Sequence, residues 1–187
     1  MDRSANAYDF ERVDGAAAGK LGNKRTTGAA RIFISYRRAD SSWPVRWLAD
    51  WLAGQFGAGV VFLDADSIRP GDDFAEKIEA AVGACSVLLA VIGPQWLAAE
   101  GDAGRRTDDP QDWVRLEIGI AIERGVCVIP VLVDGARMPS PSALPPGLRA
   151  LTGRHAVELN PVSPDTRRLA SVLEDVLTPQ CRPGPVR

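Results

Sequence analysis

Between residues 31 and 178, short apolar runs alternate with longer amphipathic segments, and this alternation restricts the possible folds more than any other feature of the chain. The runs 31–36, 60–63, 85–92, 126–132 and 154–159 have the length of strands, while 43–56, 73–82, 111–124 and 164–177 carry helical periodicity. The second, third and fourth runs are continuously apolar, as strands covered on both faces are. The pattern predicts an α/β fold: one doubly wound domain of three layers with a five-stranded parallel sheet between helices. Sheets of this kind bind ligands beyond the carboxyl ends of their strands, where the strand order reverses. The residues to inspect are therefore 35–40, 64–72 and 93–96.

The flanks read differently. Residues 1–30 are rich in Ala, Gly, Asp and Arg without a sustained period, and residues 179–187 repeat proline too often to continue a helix. Both are expected to be tails of a domain spanning 31–178. The N-terminus has no apolar segment of the secretory kind. The uncharged stretch from Ala80 to Ala99 is broken by Gly83, Cys85, Ser86, Gly93 and Pro94, so it does not read as a membrane span. A cytoplasmic location is the resulting expectation.

Charge and cysteine content exclude several roles. The 22 basic residues, 19 of them Arg, are scattered among 24 acids, giving a net charge of -2 and no basic run. Nucleic acid and anionic membrane are accordingly not expected as partners. Three cysteines without CxxC or Cys/His spacing support neither a disulfide framework nor a metal site, and Cys85 and Cys127, set in apolar runs, read as packed thiols. The single histidine, His155, falls in the last strand run and reads as structural.

No phosphate-binding loop of the GxGxxG or GxxxxGK[ST] type occurs. The third strand ends in Ile92-Gly93-Pro94, not in the phosphate-accepting aspartate that a receiver domain requires. The segment 108–124 is the most informative. Asp109 reads as a helix N-cap, Pro110 as the first helical residue, and Asp112 as a carboxylate near the free amides of the first turn. The stripe Val114, Ile118, Ala121 and Ile122 would face the sheet, with Trp113 and Glu117 sharing another face. On spacing alone, Glu117 is either an ordinary solvated acid or a carboxylate that holds a substrate hydroxyl and steadies a developing cation.

Four segments, taken together, resemble a bacterial Toll/interleukin-1 receptor (TIR) domain. They are Phe33-Ile34-Ser35-Tyr36-Arg37-Arg38-Ala39-Asp40, Asp66-Ser67-Ile68-Arg69-Pro70-Gly71-Asp72-Asp73-Phe74, Val91-Ile92-Gly93-Pro94-Gln95-Trp96-Leu97 and Asp112-Trp113-Val114-Arg115-Leu116-Glu117-Ile118. The later segments Ile129-Pro130-Val131-Leu132-Val133 and Leu144-Pro145-Pro146 agree. The resemblance implies a flavodoxin-like fold and, in many members, cleavage of NAD+ between nicotinamide and ribose, giving nicotinamide and ADP-ribose or a cyclic isomer. NAD+ is then substrate, and neither a metal nor a cofactor is implied.

By the same resemblance Glu117 would be catalytic, and Trp113, four residues earlier, would complete a WxxxE pattern and wall the nucleotide. Ser35, Tyr36 and Arg37 would lie beneath the nucleotide, Trp96 would stack near it, and Arg37 or Arg38 would be free to meet a phosphate. Tyr36 and Trp96 have a competing reading as caps of the core. The loop containing Asp66, Arg69, Pro70 and Gly71, which Pro-Gly marks as a turn in any case, would act as lid and assembly surface. Implied partners are NAD+, further copies or other TIR domains, and a separate sensor or effector protein, in bacterial immune signalling or virulence. The alternative is a non-enzymatic adaptor that binds other TIR domains.

Overall fold

The computed structural model describes residues 31–63, 74–101, 104–159 and 166–177. Both expected tails lie outside the described residues, as does the loop containing Asp66, Arg69, Pro70 and Gly71. In chain order the elements are β1 (Ile32–Ser35), α1 (Arg38–Phe56), β2 (Val61–Leu63), α2 (Phe74–Gly83) and β3 (Val87–Ile92), then the two-residue strands β4 (Glu100–Gly101) and β5 (Gly104–Arg105). A 3-10 turn at Arg106–Asp108 leads into α3 (Trp113–Glu123) and β6 (Cys127–Val133). Two further 3-10 segments, Pro141–Ala143 and Pro146–Gly153, precede β7 (Val157–Leu159) and α4 (Thr166–Leu177).

Five strands form one parallel sheet in the order β2-β1-β3-β6-β7, and β4 and β5 pair separately as an antiparallel ribbon. The expected α/β architecture is the one observed. The chain moves outward from β1 to β2, then returns to place β3 on the opposite side of β1. The order therefore reverses between β1 and β3, which in an open sheet leaves a crevice at their carboxyl ends.

Alternate residues of a strand face opposite sides, and the core divides accordingly. Ile32, Ile34, Val87, Leu89, Val91, Ile129 and Val131 pack against Val45, Leu48 and Leu52 of α1 and Leu169 and Leu173 of α4. Phe33, Leu88, Ala90, Ile92 and Val128 pack on the other side against Ile78 and Val82 of α2 and Val114, Ile118 and Ala121 of α3. Leu148 and Leu151 of the last 3-10 segment close that second layer. Each fully buried Leu or Ile contributes about 1.5–3 kcal/mol relative to exposure, and both layers supply many.

Several local features depart from the sequence reading. Helix α1 begins earlier than expected because a turn at Arg38 joins it across a non-helical Ser41 (φ -138°, ψ 24°), with Pro44 just beyond the kink. Pro130 lies inside β6, opposite Ala90 of β3. Pairing of β6 with β7 starts only at Val131, so the missing proline N–H costs no β6–β7 bond. His155 is not in the last strand, which starts at Val157; it is exposed in the approach to it. Cys85 and Cys127 are free thiols, half-buried rather than fully packed.

Candidate functional site

The crevice at the β1/β3 reversal is a cleft of about 660 Å³. The segment after β1 contributes Tyr36, Arg37, Arg38 and Asp40, the segment after β3 contributes Gln95, Ala99 and Glu100, and the entry to α3 contributes Arg106, Asp112 and Trp113. Residues widely separated in sequence meet here because the parallel strands all end on the same side. Trp113, the first residue of α3, is 44% exposed and forms part of the wall.

The helix that carries Trp113 is capped by Asp112 and not by Asp109. The Asp112 Oδ1 accepts the Arg115 N–H at 3.0 Å. Asp109 and Pro110 precede the helix, and the Asp109 carboxylate instead closes a local turn by accepting the Gln111 N–H at 2.8 Å. The Arg115 guanidinium reaches back to the Asp108 carbonyl at 2.7 Å, tying the first turn of α3 to the preceding 3-10 turn.

Glu117 lies one turn further along α3 and is 0% exposed. This overturns the reading of Glu117 as an ordinary solvated acid. It shares the buried side of α3 with Val114, Ile118 and Ala121, and it is set behind the cleft wall, not among the cleft-lining residues. A carboxylate withdrawn from water costs free energy, so a fold that keeps one there must compensate for it locally.

Arg37 lines the cleft but is not open to a phosphate there. It is 5% exposed, not partly solvated and awaiting a phosphate. Its Nη1 and Nη2 donate to the two oxygens of Asp112 at 2.8 and 3.0 Å, and its Nε donates to the Trp96 carbonyl at 3.0 Å. Its guanidinium carbon stands 5.7 Å from the centroid of the Trp96 ring. Arg38 is exposed and lines the cleft, as does Arg106.

Trp96 is 1% exposed and belongs to the core beneath the α3 side of the sheet. Of its two readings, the core cap is the one that describes its position, and its ring does not line the cleft. Ser35 is fully buried at the end of β1, and its hydroxyl finds no hydrogen-bond partner among the described residues. Tyr36, half-buried, reaches the cleft wall. The structure thus brings Tyr36, Arg37 and Trp113 to one cleft, and leaves Ser35, Trp96 and Glu117 beneath or behind it.

Asp40 is a cleft residue that the sequence reading did not single out. Its Oδ1 accepts the Gln95 N–H at 2.8 Å, joining the segments after β1 and β3, while its Oδ2 is buried without a partner among the described residues. Gly93 admits this carboxylate, because a Cβ there would collide with it. The Gly93-Pro94 pair, read as a strand end, was the available signal. Among the described residues no group of three or more His, Cys, Asp or Glu side chains could hold a metal ion.

The family model described as TIR domain matches residues 32–172. The chain belongs to the TIR-domain family. This TIR domain is 31% identical over 128 residues to a protein of Brachypodium distachyon named as a probable 2′ cyclic ADP-D-ribose synthase. That match covers 68% of this chain and 47% of the grass protein, so the chain spans about half the length of its relative. Among solved structures it resembles the TIR domains of the activated Roq1 resistosome recognising the pathogen effector XopQ (TM-score 0.55, 13% identity, 79% of this chain and 99% of that one). It also resembles a metazoan TIR-STING receptor from C. gigas in complex with 2′,3′-cGAMP (TM-score 0.51, 18% identity, 84% and 42%). At these identities the structural likeness concerns the fold.

Proposed function

We propose that this TIR domain is an NAD+ nucleosidase that cleaves the bond between nicotinamide and ribose, with Glu117 as its catalytic carboxylate. The observation that carries the proposal is the burial of Glu117 one helical turn from Trp113, which walls the cleft at the strand-order reversal. The likeness to a protein named for cyclic ADP-ribose synthesis supports the same chemistry.

The reaction suits this residue set. The C–N bond breaks, its electron pair passes to the pyridine nitrogen, and nicotinamide departs neutral without needing a proton. Glu117 would hydrogen-bond the ribose hydroxyls and stabilise the oxocarbenium-like transition state more than the ground state. Water, an adenine-ring nitrogen or a ribose hydroxyl then attacks the anomeric carbon, giving the linear or a cyclic product. Trp113 and Tyr36 would hold the flat groups of the nucleotide, and Arg38 and Arg106, on the cleft wall, would meet its diphosphate.

Full burial of Glu117 in the single chain fits an enzyme that is latent until copies gather, with NAD+ admitted by the rearrangement that accompanies assembly. We place the protein in the cytoplasm and in bacterial immune signalling or virulence, acting with further TIR domains or a separate sensor or effector. No helix among the described residues is long and apolar enough to cross a membrane. Nicotinamide release from NAD+, followed by mass spectrometry as protein concentration rises, tests the proposal. Turnover should rise more steeply than concentration, and Glu117→Gln should reduce it at least about 1,000-fold while the Tm stays within a few degrees. Wild-type turnover in that variant would remove Glu117 from the chemistry.

The same burial favours one competing reading, a non-enzymatic adaptor. Trp43, 70% exposed on α1, would give such an adaptor an apolar contact. It predicts binding to other TIR domains with no nicotinamide released at any concentration.

A further inference from the structure

We propose that Arg37 and Asp112 form a positioning clamp that sets the first turn of α3, and with it Trp113 and Glu117, against the carboxyl ends of β1 and β3. The inference rests on the assignment of Glu117 and Trp113 to the reacting site, and it replaces the role of Arg37 as a nucleotide contact.

The clamp joins three parts of the fold. Arg37 follows β1 directly, its Nε holds the Trp96 carbonyl in the segment after β3, and its two terminal nitrogens hold both oxygens of Asp112 at the start of α3. The side chains of Arg37 and Asp112 are 4% and 6% exposed. All three guanidinium nitrogens are thereby engaged inside the protein. A forked, planar contact fixes orientation as well as distance, which a single point contact cannot do.

This arrangement exceeds what a helix start needs. The N-cap bond from the Arg115 N–H occupies one oxygen of Asp112, and a serine would serve that purpose. Nor does a buried ion pair, weighed against an apolar pair of the same shape, add much stability, because desolvation offsets the attraction. What the pair supplies is geometry. Glu117 lies about 1.4 turns beyond Asp112, so a pivot of α3 at its first turn moves the carboxylate and the Trp113 ring together. A misplacement of about 1 Å at a reacting group costs on the order of 100-fold in rate.

The test separates geometry from stability. Arg37→Met and Asp112→Ser each leave one buried charge alone and should lower the Tm. Combined, they remove both charges while keeping a capping hydroxyl, so the Tm should return toward wild type. If the clamp positions α3, kcat of the double variant stays at least tenfold below wild type at saturating NAD+. Recovery of kcat together with the Tm overturns the proposal. If the double variant does not regain its Tm, Arg37→Lys decides: it keeps the charge and loses the fork, and kcat should fall at least fivefold, whereas unchanged kcat overturns the clamp.

Wild type and Glu117→Gln run in the same assay. Should wild type release no nicotinamide, the enzymatic reading fails and the clamp is judged by the Trp113 indole N–H resonance, assigned with Trp113→Phe. Displacement or broadening of that resonance in the double variant upholds the clamp, and an unmoved resonance overturns it.

Discussion

Toward α1 and α4 the sheet presents Ile32, Ile34, Val87, Leu89 and Val91, and the buried polar side chain there, Ser41, bonds the Arg37 carbonyl within its own turn. Toward α3 the same strands present Phe33, Leu88, Ala90 and Ile92, and alternation turns Ser35 to that side too. There the partner helix carries Glu117 and Asp112 into the interior, with Thr107 buried beside its start. One layer is almost wholly apolar, with Trp47, Trp51 and Phe56 packed against its aliphatic centre, and the other gives up apolar contact to hold polar groups. Burying polar groups adds less stability than apolar contact does, so under the proposed function this is the layer in which stability is exchanged for chemistry.

Four measurements break or sharpen this contrast. The largest effect is expected on the apolar side. Leu48→Ala removes a fully buried side chain of α1 and should cost about 2–5 kcal/mol, measured by denaturant unfolding, with turnover per folded molecule unchanged. An equal loss of turnover would mean that the two layers are not independent. Next is Gly93→Ala, whose Cβ meets the Asp40 carboxylate. Displacing that side chain from the Gln95 N–H should cost about 1–3 kcal/mol and also raise the KM, because both residues line the cleft.

Trp113→Ala follows, with a smaller effect of the opposite balance. The ring is 44% exposed, so stability should change by less than about 1 kcal/mol while the KM for NAD+ rises about fivefold or more. The smallest effect concerns Cys85. Burial, partly offset by a backbone hydrogen bond, raises its thiol from an ordinary 9.0 to about 11. The folded state keeps its proton where the unfolded chain loses it, so this stabilisation is whole below pH 9 and declines from pH 9 to about 11. Alkaline unfolding of Cys85→Ala should show a shallower decline over that window, and wild-type Cys85 should alkylate slowly at pH 8.

Much of this was legible in the chain itself. The apolar runs identified β1, β2, β3, β6 and β7 because a sheet covered on both sides leaves no alternation to blur them. The WxxxE spacing pointed to the helix whose first residue walls the cleft. What was not legible depends on partners remote in sequence. Arg37 reads as a cation beneath the nucleotide, open to a phosphate, until Asp112, 75 residues away, is brought against it. Asp40 reads as one more loop acid until its bond to the Gln95 amide, 55 residues on, is seen. The N-cap was misjudged because Asp109 and Asp112 are both good capping residues, and only the course of the backbone selects between them. Two-residue strands such as β4 and β5 carry no period to detect.

The rims of the sheet have a consequence for how copies could gather. β2 and β7, the outer strands, are each described over three residues, and at the β2 rim the Arg31 guanidinium lies 4.9 Å from the centroid of the half-exposed Phe62 ring. Over the described residues, edges this short, with β2 partly shielded, offer few open backbone groups to an incoming chain. Through these residues, growth by strand addition, the nearly irreversible route of fibrils, is disfavoured. An assembly formed at these rims would rest on side-chain surfaces, which part more readily on dilution than an added strand does.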